Sequence, residues 1–207
     1  MGSHNQETSR RIFLKQGIFL GVSAALGGSL VKAGYAASRD RLTILSSVGI
    51  DTLHPYAYSA GPQYGIWQHI IEPLVEINYA KKEYYGILAE SWQFQGKKWI
   101  FKLRKNVRFH DGTPFTAHDV VHSCNRIKDD KLSLQKENFR DLAEIQALDD
   151  HTVAFTTEVP NAVFLERLQN RFMISKAWSE AADVNEFKPF GTGPYRFVSW
   201  QRDGNFV

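Results

Sequence analysis

The chain has 207 residues, 43% hydrophobic and 23% charged, the balance of a globular protein rather than a disordered one. Its formal charge of +3 sits wholly in residues 1–36, where Arg10, Arg11, Lys15 and Lys32 face Glu7; the remainder holds 21 basic and 21 acidic side chains and gives no electrostatic case for nucleic acid. A single cysteine, Cys124, excludes an internal disulfide and argues against a multi-cysteine metal or iron–sulfur site.

The first 36 residues read as an export address. Ser9-Arg10-Arg11-Ile12-Phe13-Leu14-Lys15 has the form of a twin-arginine signal, S-R-R-x-F-L-K. A mildly apolar run from about Gly17 to Val31 follows, too short and too dilute for a membrane span. Small residues at Gly34 and Ala36 offer a cleavage site, expected after Ala36. No cysteine lies nearby, so the mature chain is expected to be soluble and not lipid-anchored, on the outer side of the cytoplasmic membrane. The alternative is a basic amphipathic helix or anchor.

Leu42 to Leu45 is β-rich and reads as a first strand, and the Pro-, Gly- and Tyr-rich segment from Thr52 to Gly65 as a loop. Apolar residues at Ile66, Trp67, Ile70, Ile71 and Leu74 have helical spacing, which predicts a helix over 66–75 with Trp67 in the core. Trp92 and Phe94 alternate before Gly96, and Trp99, Phe101 and Leu103 after it, which predicts a hairpin. Lys98, Lys102 and Arg104 fall on its other, solvated face. Val107 and Phe109 extend the alternation to a turn at Asp111-Gly112. Thr116, with Asp119 three residues on, resembles a capping box, and Val120, Val121, Cys124 and Ile127 form the apolar stripe of the helix that follows. A second hairpin spans Ile145–Leu148, a turn at Asp149-Asp150, and Val153 with Phe155. Asn161 to Leu168 reads as a short helix. The final FGTGPYRFVSW is a Gly/Pro turn feeding a strand through Tyr195, Phe197 and Val198.

The stretch VRFHDGTPFTAHDVVHSC, residues 107–124, concentrates three histidines, two aspartates and the cysteine. At about 100° per residue, His118 and His122 are neighbours on the helix face opposite the apolar stripe. Such a pair is an outside candidate for zinc, but a stable site needs a third protein ligand, and no HExxH pattern is present. The plainer reading is two solvated histidines. Asp111 belongs to the turn, Asp119 to the helix start, and Cys124 to the buried stripe as an inert thiol. No phosphate loop, nucleophile elbow or dinucleotide fingerprint occurs, since Gly191-Thr192-Gly193 precedes a strand rather than a helix. No catalytic residue and no cofactor is expected.

In order, LAESWQFQGKKWIFKLRKNVRFHDGTPFTAHDVVHSCNRI, LDDHTVAFTTEVPNAVFLERL and FGTGPYRFVSW resemble three blocks of the family 5 extracellular solute-binding proteins, the dipeptide, oligopeptide and nickel receptors of ABC importers. The resemblance covers about Leu42 to the end. It implies an α/β, periplasmic-binding-protein-like fold of type II with an extra subdomain, closing on a ligand between two lobes. It places residues 42–48 and 187–207 in the first lobe and 49–186 in the inserted, hairpin-rich subdomain, with the second lobe absent. It implies that the loop after the first strand reaches the ligand, here with Tyr56, Tyr58, Ser59 and Ala60; the alternative is an ordinary surface loop with packed tyrosines. Gly191, Thr192, Gly193 and Pro194 become the hinge where the chain re-enters the first lobe. The expected partners are a peptide or similar small solute, an ABC permease and the twin-arginine export machinery, with the protein a monomer. The alternatives are a receptor for a metal or metal chelate, an exported enzyme, and a truncated remnant without function.

Overall fold

The computed structural model divides the chain into two units, residues 1–44 and 45–207. It describes residues 52–57, 61–181, 188–201 and 207, all in the second unit. The expected signal segment, the strand at Leu42–Leu45, and Tyr58, Ser59 and Ala60 lie outside the described residues.

The centre of the unit is a four-stranded antiparallel sheet of β3 (Ala89–Gln95), β4 (Lys98–Leu103), β5 (Leu142–Asp149) and β6 (Thr152–Thr157), in the order β3-β4-β6-β5. Both predicted hairpins are present. Gly96, at φ 67°, supplies the left-handed turn between β3 and β4 that a side chain would strain. The Asp149 carboxylate accepts from the His151 N–H (2.8 Å) in the turn between β5 and β6. Register pairing places Trp92, Phe101, Val153 and Ala147 in one row across the sheet, and Phe94, Trp99, Phe155 and Ile145 in the next. These rows form the core face, where Phe101 and Phe155 meet edge-to-face (5.4 Å between ring centroids). Truncating either to alanine removes a wholly buried ring, a change that costs about 3–5 kcal/mol. On the other face Lys102 and Arg104 are exposed and Lys98 is half-buried.

Helix α2 (Ala117–Asp129) covers the core face. Val120, Cys124 and Ile127 are buried and Val121 packs beside them, the predicted stripe. The Asp119 carboxylate accepts the Thr116 backbone N–H (2.9 Å), fixing the helix start. Arg126 and Lys128 in the last turn complement the carbonyl end of the helix. The short α3 (Phe164–Leu168) closes one side of the core through Phe164, which packs on Phe155 and Trp99.

The structure differs from the sequence reading in five places. The first helix, α1, spans Gly61–Trp67, so it begins inside the predicted loop and ends where the helix was expected to begin. Pro62 in its first turn is compatible with that start. After Trp67 the chain makes a buried turn: the N–H groups of Ile70 and Ile71 both donate to the Trp67 carbonyl (2.9 and 2.8 Å). Pro73 lacks an N–H and cannot continue a helix, and Val75 opens strand β1 (Val75–Asn78), paired with β2 (Glu83–Gly86) in a hairpin not foreseen. Val107 and Phe109 form no strand; one bridge, Arg108 to Pro114, spans the Asp111-Gly112 turn. Tyr195 to Val198 joins no named strand; Val198 and Ser199 donate to the Val207 carbonyl (2.7 and 3.0 Å). A further short helix, α4 (Lys176–Ala181), follows α3.

Candidate functional site

Tyr56 is 1% exposed. Its hydroxyl donates to the Phe172 carbonyl (3.0 Å), and its own carbonyl accepts the Leu134 N–H (2.9 Å). In this structure its ring therefore packs in the core and offers no surface to a solute, unlike the ligand wall expected of it. Trp67 is wholly buried, as expected. Residues 52–57 are instead an anchored segment: Gln135 donates to the Pro55 carbonyl (3.4 Å), and the His54 ring is bonded at both nitrogens. Nδ1 accepts the Tyr56 N–H (3.2 Å), so the proton is on Nε2, which donates to Asp130 Oδ2 (3.1 Å). Burial holds the His54 pKa below the usual imidazole range, although Asp130 pulls it upward.

The two helix histidines part company. His118 is exposed, 3.8 Å from Asp150. His122 is half-buried and bonded to the Ser179 hydroxyl, which corrects the reading of both as solvated. Burial also lowers its pKa, against the opposing pull of Glu180. With Asn125, Arg126, Asp129 and Asp130, His122 lines a shallow, open depression on α2. Among the described residues no group of three or more His, Cys, Asp or Glu side chains is placed to hold a metal ion. Cys124 is wholly buried, and burial pushes its thiol far above the ordinary range, away from the nucleophilic thiolate.

The glycine turn is bonded to the chain at several points. Gly191 and Gly193 lie against the backbone of His69, Ile70 and Ile71. A Cβ on Gly191 would stand 2.4 Å from the Ile70 carbonyl oxygen, and one on Gly193 2.6 Å from that of His69. Only glycine allows this approach. The Gly193 N–H donates to the Ile70 carbonyl (2.9 Å) and the Tyr195 N–H to that of His69 (3.0 Å). The Thr192 hydroxyl donates to Glu72 (2.9 Å), and Pro194 is exposed. The FGTGPY block is thus held to the turn after α1 across about 120 residues of sequence, as the pairing of Thr192 with Glu72 shows.

Residues 83–207 match the family model described as the middle region of bacterial extracellular solute-binding proteins, family 5. The chain belongs to this family. The dipeptide-binding protein of Escherichia coli K12 is 30% identical over 209 residues, covering 86% of this chain and 39% of that protein. The glutathione-binding protein of Pectobacterium atrosepticum is 28% identical, with 87% and 36% covered. Among solved structures, the ABC transporter-associated periplasmic binding protein DppA of Helicobacter pylori in complex with the peptide STSA superposes with a TM-score of 0.65 at 30% identity, covering 74% of this chain and 36% of that one. NikZ of Campylobacter jejuni in complex with Ni(L-His) does so with the same score and identity, covering 74% and 32%. This family 5 chain therefore has the α/β fold of periplasmic binding proteins, and it spans less than two-fifths of the length of these relatives. Among the described residues no helix is long and apolar enough to cross a membrane.

Sequence reasoning missed His54, Asp130 and Glu72. Each is paired with a residue 76 or 120 positions away, so no local pattern marks it.

Proposed function

We propose that the chain supplies the first part of an exported, non-enzymatic receptor that binds a peptide or similar small solute and delivers it to an ABC permease. The observation that carries this is the family match over residues 83–207, taken with the peptide-binding relatives at 30% identity. On this reading residues 1–36 direct twin-arginine export to the periplasm without a lipid anchor, and the mature protein acts as a monomer. Residues 42–48 and 187–207 belong to the first lobe, 49–186 to the subdomain, and Gly191–Pro194 to the hinge. The solute-gripping charges lie in the part of the relatives that this chain does not span, as do most of the residues that would select a ligand. Residues Tyr58, Ser59 and Ala60 form the near wall of the site.

Uptake of labelled di- and tripeptides by the host tests this. Deleting the gene should abolish uptake of at least one peptide class, and unchanged uptake of all of them would overturn it. A metal chelate is the second reading, favoured by the likeness to the Ni(L-His) complex of NikZ. Loss of nickel–histidine uptake with peptide uptake intact would select it.

A further inference from the structure

His110, from the stretch richest in apparent chemistry, is bonded three times to the glycine turn. Its backbone N–H donates to the Gly191 carbonyl (3.0 Å). The Gly191 N–H points at the ring Nδ1 (3.4 Å), and Nε2 lies 2.9 Å from the Gly193 carbonyl oxygen. A backbone N–H only donates and a carbonyl only accepts. Both ring contacts are satisfied together in one state alone, the neutral imidazole with its proton on Nε2. Phe190 packs edge-on against that ring (5.7 Å between centroids) and stacks on Phe109 and Trp178 (6.0 and 5.4 Å). Gly191 and Gly193 are thus enclosed between an imidazole and the His69–Ile71 backbone.

We propose that His110 is a positioning residue: its ring clamps Gly191 and Gly193 onto His69–Ile71 and so fixes the direction in which the chain departs at Pro194 and Tyr195. The importance of that direction rests on the receptor reading above, in which this turn is the hinge between lobe and subdomain. A turn free to rotate would populate fewer solute-competent orientations, and apparent affinity would fall by that fraction.

The test uses the full chain with His110→Gln, His110→Asn and His110→Ala. The Gln amide nitrogen falls near Nε2 and keeps the bond to Gly193. The Asn oxygen falls near Nδ1 and keeps only the longer contact with Gly191. Amide exchange at Gly193 and Tyr195 should speed up by about tenfold in His110→Ala, less in His110→Asn and least in His110→Gln. The sheet amides of Phe101 and Phe155 should not change. Acceleration of all amides alike would reduce His110 to general packing and overturn the proposal. The nitrogen spectrum of the neutral wild-type imidazole should show the proton on Nε2; a proton on Nδ1 would overturn the proposal even if every variant failed to fold. Neither readout uses a solute, so a failure of the receptor reading leaves both intact.

Discussion

His54 Nε2 lies 3.1 Å from Asp130 Oδ2, joining the segment that precedes α1 to the end of α2. The same carboxylate accepts from Arg126 (2.7 Å) and, through Oδ1, from the Leu132 N–H (2.9 Å). Burial alone would raise the Asp130 pKa, but these donors hold it below the usual carboxylate range. Folding therefore keeps Asp130 charged and His54 neutral. For a histidine lowered by folding, the unfolded chain takes up a proton first as pH falls past about 6.5, so stability drops from there downward. His122 is lowered as well and acts in the same window. Urea midpoints should fall between pH 7.5 and 5.5, and His54→Gln should flatten the slope. Glu76, raised by burial, contributes the opposite sign, because its protonated form is favoured by folding. A midpoint that rises on acidification to pH 5.5 would contradict the assignment.

Gly193→Ala should destabilise the protein by about 1–3 kcal/mol, because its Cβ would meet the His69 oxygen at 2.6 Å and the Ile70 carbonyl carbon at 2.7 Å, both backbone atoms. Gly65→Ala is the contrast. Nothing lies within 4 Å of its Cβ, and it sits inside α1, where alanine is preferred by about 1 kcal/mol. Thermal melts of the two variants should therefore move in opposite directions.

Native Cys124 should resist alkylation by iodoacetamide and react only as the chain unfolds. The thiol is wholly buried and its ionisation is suppressed, so labelling reports opening of α2 from the sheet. Rapid modification of the native protein at pH 8 would place Cys124 outside the core.

What the amino-acid order reveals here is local. Trp99, Phe101 and Leu103 alternate within five residues, and their partners Val153 and Phe155 do the same, so both hairpins are readable. Thr116 and Asp119 are one helical turn apart, and so is each step of the Val120, Cys124 and Ile127 stripe. The failures are of two kinds. Ile66, Trp67, Ile70, Ile71 and Leu74 have helical spacing because each is buried or packed, but a buried turn ended by Pro73 satisfies that burial equally well. The clamp of His110 on Gly193 and the pairing of His54 with Asp130 join residues 83 and 76 apart, and nothing in their neighbours anticipates either. The turn signal in GTGP was legible, but the close approach that demands glycine there comes from His69–Ile71, which are distant in sequence.

Asp119 should be the most costly single carboxylate to remove from α2. It is 7% exposed, and each oxygen has a separate duty. Oδ2 accepts the Thr116 N–H (2.9 Å) and the Thr116 hydroxyl (3.0 Å). Oδ1 accepts the Lys176 N–H (2.9 Å) at the start of α4. Asp119→Ala removes the cap, worth about 1 kcal/mol, and leaves a part-buried N–H without its acceptor, worth about 1–3 kcal/mol more, so a loss of about 2–4 kcal/mol is expected. Asp119→Asn keeps the shape but turns a donating NH2 toward one of those donors, and should recover less than half of the loss. Asp150→Ala is the control, since its pairing with His118 is exposed on both sides and should change stability by less than about 0.5 kcal/mol. Urea denaturation at pH 7.5 resolves all three. A cost for Asp119→Ala no larger than that of Asp150→Ala would mean that the two helices start independently of this carboxylate.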